Sequence, residues 1–354
     1  MPTVADVVDA VIGVDTHADT LGAALVAPSG AVLAERDFPA TGEGIDALIG
    51  WVLSDTPDQE VAFAIEGTRS YGIGLARAVA QLGMRVIEVE RPSRAERRGR
   101  GKSDAIDAVL GARKALALDA GALPTPRADG DREALRILLV TRREMTGEKT
   151  AKTNRLVALL RTGEDTDRDL VRTRLTDTGL TRIARRRGHP EHTREQAVRR
   201  AEARRLALAI VDLNRALAAN KTELATILDQ LAPGLTRRHG IGPVSAAQAI
   251  VSFSHRGRCR NEAAYARLAG ASPLEASSGR TTRHRLNRGG DRQLNRALHD
   301  IAKTRMVHCP RTRAYLARRR AQGLSDREIR RCLKRYIARQ LYRTLTNTMI
   351  NTAA

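Results

Sequence analysis

The chain has 354 residues, 42% of them hydrophobic, which is long enough for two or three domains with cores of their own. Its 61 Lys and Arg outnumber 40 Asp and Glu, and the net charge of +21 points to a polyanionic partner, while aromatics at 3% are too few for an extended base-stacking platform, so contacts to nucleic acid are expected to be ionic and steeply salt-dependent. Three cysteines (Cys259, Cys309, Cys332) without C-x-x-C spacing argue against a zinc site or a disulfide framework and for a reducing cytoplasm; no apolar run approaches the roughly 20 residues of a membrane span, and neither secretion nor anchoring is expected.

Charge is unevenly spread. Residues 1–90 contain four arginines, no lysine and fourteen acids, whereas residues 280–343 contain twenty Lys or Arg and four acids. An acidic front end is consistent with a metal site and a basic back end with a phosphate clamp, the plain alternative being solvated faces.

In chain order, residues 11–15 are an apolar run closing on Asp15, and 21–26 and 31–38 follow at hairpin spacing around Pro28-Ser29-Gly30, which predicts three strands. Residues 44–53 fit a helix, 61–65 a buried strand closing on Glu66, 73–82 a helix and 85–89 another strand. The alternation predicts an α/β sheet covered by helices. Asp15 and Glu66 then lie where apolar strands stop, the usual ligand edge of open α/β sheets, unless each merely opens a loop.

Lys102-Ser103-Asp104-Ala105-Ile106-Asp107 follows an arginine-dense run at 91–101 that includes Arg97 and Arg98. With Ser103 as a helix cap, Asp104 and Asp107 share one face of the first turn, where exposed amides favour negative charge. Two carboxylates there invite a divalent cation beside a phosphate-attracting segment, although a cap-supporting Asp104 and a solvated Asp107 would also account for the pair.

Residues 131–160 are helical in period, with Leu135, Leu138, Leu139 and Leu156, Leu159, Leu160 bracketing a basic middle. The polar stretch 162–200 has little period and reads as a loop or as short helices docked on nucleic acid. From Leu206 through Ile210, Leu213, Leu217, Asn220, Leu224 and Ile227 to Leu231, steps of four and three alternate, a heptad seam with one asparagine. It predicts a coiled coil joining two domains or two protomers, or else an amphipathic helix packed on its own domain.

His239-Gly240-Ile241-Gly242-Pro243, ahead of an apolar run at 244–253, has the form of a helix-hairpin-helix turn whose glycines let amides approach a phosphate, or of a plain turn. Residues 271–279 end in Ser277-Ser278-Gly279, and Arg280, Arg283, Arg285, Arg288 and Arg292 follow. A serine there would be a nucleophile in an anion-stabilising setting, or simply part of a flexible loop. Residues 312–350 alternate helix-spaced Leu316, Ile329, Leu333, Ile337, Leu341 and Leu345 with arginines and predict helices lying along a nucleic-acid backbone.

Gly13-Val14-Asp15-Thr16, Ala64-Ile65-Glu66-Gly67-Thr68 with Tyr71, and Lys102-Ser103-Asp104-Ala105-Ile106-Asp107-Ala108 resemble the three acidic motifs of the DEDD-type transposases of the IS110 insertion-sequence family. Gly240-Ile241-Gly242-Pro243, Leu268-Ala269-Gly270-Ala271-Ser272-Pro273, Ser278-Gly279 and Arg288-Gly289-Gly290-Asp291 with Leu294 resemble that family's C-terminal domain. The likeness spans nearly the whole chain. It implies an α/β RuvC-like (RNase-H-type) domain over 1–125, a helical coiled-coil and linker segment over 126–234, and a mostly α transposase domain with a helix-hairpin-helix-like segment over 235–354.

The function the resemblance implies is that of a transposase or site-specific DNA recombinase. Asp15, Glu66, Asp104 and Asp107 would hold Mg²⁺ or Mn²⁺, and Ser278 would attack a phosphodiester to give a covalent phosphoserine link, in a composite centre across the protomers of a homodimer or homotetramer. The partners implied are donor and target DNA and a structured bridge RNA, at the nucleoid and with no membrane. Arg97, Arg98, Lys102, Arg280, Arg283, Arg285, Arg288 and Arg292 would contact nucleic-acid backbones. This chain departs from the pattern where Ser277 stands beside Ser278, which leaves the nucleophile open by one position, where Arg288 replaces an expected lysine, and in the length of 162–200. Two other readings stand beside this one: a junction resolvase using only the carboxylates, and a non-catalytic architectural binder of nucleic acid.

Overall fold

A computed structural model describes residues 2–90, 104–126, 130–255, 257–275, 284–285, 287 and 289–348, without the side chains of Asp104, Ala122 and His284. The first unit is built on β1 (Ala10–Thr16), β2 (Thr20–Val26), β3 (Val32–Pro39), α1 (Gly42–Asp55), β4 (Val61–Glu66), α2 (Ile73–Gln81), β5 (Arg85–Val89) and α3 (Asp104–Leu116). The strands form one sheet in the order β3-β2-β1-β4-β5. β1 and β2, and β2 and β3, run antiparallel, whereas β1 and β4, and β4 and β5, run parallel.

β1 is buried along all seven residues because it is central and covered on both faces. The two-residue period sorts its side chains: Ile12 and Val14 share a core with Leu48 and Val52 of α1 and Leu75 and Val79 of α2, while Val11 packs with Ala108 and Ala112 of α3. At roughly 1.5–3 kcal/mol per buried aliphatic side chain, these two layers hold the sheet between its helices. β3 is the exposed edge. A mixed sheet of this order flanked by helices has the RNase-H/RuvC-like layout, and each strand and helix expected in residues 11–89 lies within two residues of its expected place.

The remainder is helical: α4 (Gly130–Arg161), α5 (Asp165–Arg168), α6 (Asp177–Arg185), α7 (Arg194–Leu231), α8 (Pro243–Phe253), α9 (Glu262–Leu268), a two-residue ladder of β6 (Leu274–Glu275) with β7 (His284–Arg285), then α10 (Arg292–His308), α11 (Pro310–Ala321) and α12 (Asp326–Thr348). The heptad seam of α7 finds its partner inside the chain. Leu224 and Leu228 share a core with Leu135 and Leu139 of α4, whereas Leu206 and Ile210 share another with Leu156 and Leu160, so the two long helices form an antiparallel hairpin.

Midway along the hairpin the contact is polar. Arg142 Nη1 donates to the Leu217 carbonyl oxygen (2.8 Å) and to Asn220 Oδ1 (3.2 Å), and buried Asn220 donates through Nδ2 to the Leu138 carbonyl oxygen (3.0 Å). The stretch 162–200 consists of short helices and the first turns of α7. α6 is docked by Leu180 and Ile183 on the hairpin's far core. The glycine turn at 239–243 packs on α10: Gly240 has φ +77°, its Cα faces Arg305 and the Ile301 carbonyl, and the His239 carbonyl oxygen accepts from Arg305 Nε at 2.8 Å. The second glycine amide, Gly242 N, is 3.2 Å from Ser245 Oγ. Leu316, Ile329, Leu333, Ile337, Leu341 and Leu345 are all buried in the C-terminal core. Among the described residues no helix is long and apolar enough to cross a membrane.

Candidate active site

Glu66 ends β4 and Asp15 stands one residue before the end of its parallel neighbour β1, whose register aligns Val14 with Ile65 and so sets the two acids side by side. By the strand period, Asp15 follows Val11 and Gly13 on the face covered by α3, and Glu66 follows Ala62 and Ala64 on the same face. The strand ends are tied together by Thr16 Oγ1, which donates to the Glu66 carbonyl oxygen at 2.9 Å. Beyond Glu66 the chain turns at Gly67, φ +69°, where a Cβ would stand 2.7 Å from Thr16 Oγ1. Only glycine allows β4 to close that tightly on β1.

The third motif arrives on α3. Gly13 has no side chain, and the α3 backbone rests directly on it: a Cβ there would collide with the Ala108 carbonyl oxygen and come within 3.0 Å of the Ala112 Cβ. This contact carries Asp107, one residue before Ala108 and 5% exposed, to the strand-end side that holds Asp15, 4% exposed. Asp104 is the first residue of α3, and its side chain lies outside the described residues.

His17 also belongs to this region and has no place among the expected site residues. Its Nε2 stands 3.3 Å from Asp15 Oδ2. The signal for it was the strand period itself, which puts residue 17 on the same side as residue 15. Carboxylate oxygens are the donors that suit a hard divalent cation such as Mg²⁺ or Mn²⁺, and the His17 imidazole stands against Asp15 as its neighbour rather than adding to that oxygen set. Among the described residues no three His, Cys, Asp or Glu side chains gather closely enough to form a metal-binding group.

The second expected centre is the serine loop. Ser277 and Ser278 lie outside the described residues, as do Arg97, Arg98, Lys102, Arg280, Arg283 and Arg288. Its stem is described: Leu274 pairs with Arg285 and Glu275 with His284. The stem is rooted by two left-handed glycines. Gly270, φ +59°, faces the Gly289 carbonyl, and Gly290, φ +85°, has a Cα that abuts the Leu268 carbonyl.

Asp291 then locks the root. Its Oδ1 accepts from the amides of Gln293 (2.8 Å) and Leu294 (3.0 Å) to cap α10, its Oδ2 accepts from Ser252 Oγ at 2.6 Å, and its own amide donates to the Leu268 carbonyl oxygen at 2.7 Å. Arg285 leaves the stem exposed, and Arg292 is exposed on the first turn of α10.

Two family descriptions match the chain. One, a transposase of the DEDD IS110 type, matches residues 12–163, and the other, transposase of the IS116/IS110/IS902 family, matches residues 233–317. No curated protein is similar enough to match. The first matched segment holds β1, β4 and α3 with their acids, and the second holds the serine-loop stem and the Asp291 cap. Both descriptions are of IS110-type transposases and together they span most of the chain, which therefore belongs to the IS110-type transposases, enzymes that cut and join DNA.

Proposed function

We propose that the chain is a site-specific recombinase of its own insertion sequence, which cuts DNA through Ser278 and a Mg²⁺- or Mn²⁺-loaded carboxylate centre of Asp15, Glu66, Asp104 and Asp107. The observation that carries this reading is the backbone contact of Gly13 with Ala108, which brings Asp107 on α3 to the strand ends bearing Asp15 and Glu66. A bound divalent cation would stabilise charge on the phosphoryl oxygens as the bond changes hands. The carboxylates would hold it, and His17 would orient Asp15.

Ser278 Oγ attacks phosphorus, the ester bond to one deoxyribose oxygen breaks, and that oxygen takes up the proton as a free hydroxyl. Attack by another strand's hydroxyl on the phosphoserine reverses the step and releases Ser278. The free energy of the cut bond stays in the serine ester, so rejoining needs no further energy source. In this reading residues 1–125, 126–234 and 235–354 act as catalytic, spanning and serine-bearing segments of a homodimer or homotetramer. Donor and target DNA are chosen by a structured RNA, and the strongly basic second half grips backbones without reading sequence. The setting is cytoplasmic, at the nucleoid.

The test is a denaturing gel of purified protein with Mg²⁺, RNA transcribed from the element's flank and labelled junction DNA. A protease-sensitive protein–DNA adduct formed by the wild type and lost in Ser278→Ala is the expected result. An adduct that persists in Ser278→Ala and vanishes in Ser277→Ala moves the nucleophile by one residue. Metal-dependent cleavage to free ends with no adduct in any variant overturns the serine mechanism in favour of a resolvase.

A further inference from the structure

A cavity of about 620 Å³ lies between the root of the serine loop and one face of α12. Ser272, Pro273 and Arg285 of the stem form one wall, and Arg331, Lys334, Arg335 and Tyr336 form the other. The period of α12 explains this face: Ile329, Leu333 and Ile337 turn into the core, which leaves the intervening positions toward the loop.

Three features mark the cavity as a binding site. Among the described residues Arg335 Nη1 is buried and has no hydrogen-bond partner, an unfavourable state for a guanidinium that an anion would relieve. Lys334 is held in place by Asn295, whose Oδ1 accepts from its Nζ at 2.6 Å while Asn295 Nδ2 donates to the Ala269 carbonyl oxygen at 2.6 Å, so the ammonium is pre-set against the Gly270 turn. Tyr336 is 56% exposed, its ring set edge-to-face with Tyr315 at 6.0 Å, and so presents an aromatic surface at the wall.

Among the described residues neutralisation from within is weak. Glu328, the acid at the wall, is occupied in accepting from Ser325 N (2.9 Å) and Ser325 Oγ (2.7 Å), and Arg339 is paired with Glu262 at 2.7 Å. Phosphate-binding cations beside an aromatic face match the two halves of a nucleotide. The volume suits a single small occupant and excludes a duplex.

We infer that this cavity receives one unpaired nucleotide of the DNA strand being cut, with its phosphate held by Arg335, Arg331, Arg285 and Lys334 and its base stacked on Tyr336. The choice of the cut strand rests on the serine-loop reading given above, because β6 enters that loop three residues before Ser278. Seating the neighbouring nucleotide here fixes where the strand meets the loop. Arg335 and Tyr336 are positioning residues in this scheme, and both lie beyond the matched segment 233–317.

The experiment uses the full chain and a short thymidine oligonucleotide carrying one 5-iododeoxyuridine, irradiated and mapped by peptide mass spectrometry. The expected result is a crosslink on Tyr336, reduced roughly tenfold in Arg335→Ala and retained in Tyr336→Phe, with circular dichroism unchanged in both. Crosslinks confined to other exposed aromatics such as Tyr71, or a Tyr336 crosslink indifferent to Arg335→Ala, would overturn the inference. A matching uridine RNA probe that crosslinks Tyr336 while the DNA probe does not would overturn the assignment to DNA. The crosslink is also measured in Ser278→Ala: its persistence there, whatever the fate of the covalent adduct, separates the failure of this site from the failure of the serine mechanism.

Discussion

Gly13 of β1 and Ala108 of α3 meet backbone to backbone, with no room between them for a methyl group. Gly13→Ala is therefore expected to push α3 off the sheet, because the atom it strikes is a helix carbonyl rather than the end of a flexible side chain. Overpacking of this kind costs about 1–3 kcal/mol and also moves Asp107. Urea unfolding measures the first effect. A loss of DNA cleavage larger than the unfolded fraction explains would measure the second.

His17 touches Asp15 at 3.3 Å and contributes no carboxylate. Asp15→Asn is expected to abolish adduct formation, whereas His17→Ala should weaken the apparent Mg²⁺ affinity by roughly ten- to a hundredfold while high Mg²⁺ restores the rate. A Mg²⁺ titration of both variants checks this. A His17→Ala enzyme with wild-type metal dependence removes His17 from the site.

Asp291 caps α10 and holds Ser252, so Asp291→Ala leaves two amides and a buried hydroxyl without their acceptor. A stability loss of about 1–3 kcal/mol is expected, read as a lower urea midpoint. Asp291→Asn keeps one acceptor oxygen and should lose less.

In the long hairpin, Arg142 and Asn220 are coupled. Asn220→Leu removes an acceptor from a half-buried guanidinium and a donor from the Leu138 carbonyl, at an expected cost of about 1–3 kcal/mol. Arg142→Leu combined with Asn220→Leu should recover part of it, because the apolar seam then continues through the middle. A double-mutant cycle in urea tests whether the two costs add.

The acid limb of stability should report on His299. Burial first, then Arg330 and Lys334, and more weakly Lys303, depress its imidazole below the ordinary 6.5, with Asp300 opposing. The unfolded chain takes up this proton at higher pH than the native one. Its contribution is complete above pH 6.5 and is lost as pH falls through the depressed native value. His299→Asn is expected to flatten the decline of the thermal midpoint on the acid side of 6.5 and to leave it unchanged at pH 8. An unaltered acid slope would contradict this.

Local physics made much of this molecule legible. Two-residue alternation and the punctuation of glycine and proline marked β1, β2, β3, β4 and β5, and the steps of three and four marked Leu316, Ile329, Leu333, Ile337, Leu341 and Leu345, all of which are buried. The same alternation put Asp15 and Glu66 at strand ends. The polar stretch at 162–200 left loop and short helices both open and did not mark α6, since a nine-residue helix shows too few turns for its period to stand out.

What the sequence by itself determined is the element order and the acidic and serine motifs, because strand and helix periods and turn residues act over a few neighbouring positions. Tertiary structure decided which distant groups meet. It gave the α7 seam a partner in α4 of the same chain, turned Gly240 to packing on α10, placed His17 on Asp15, and opened a cavity between Arg335 and the serine-loop stem. Such meetings depend on how closely two backbones approach. At Gly13 and Gly240 that closeness rests on a missing Cβ, whose effect appears only when the other element is in place.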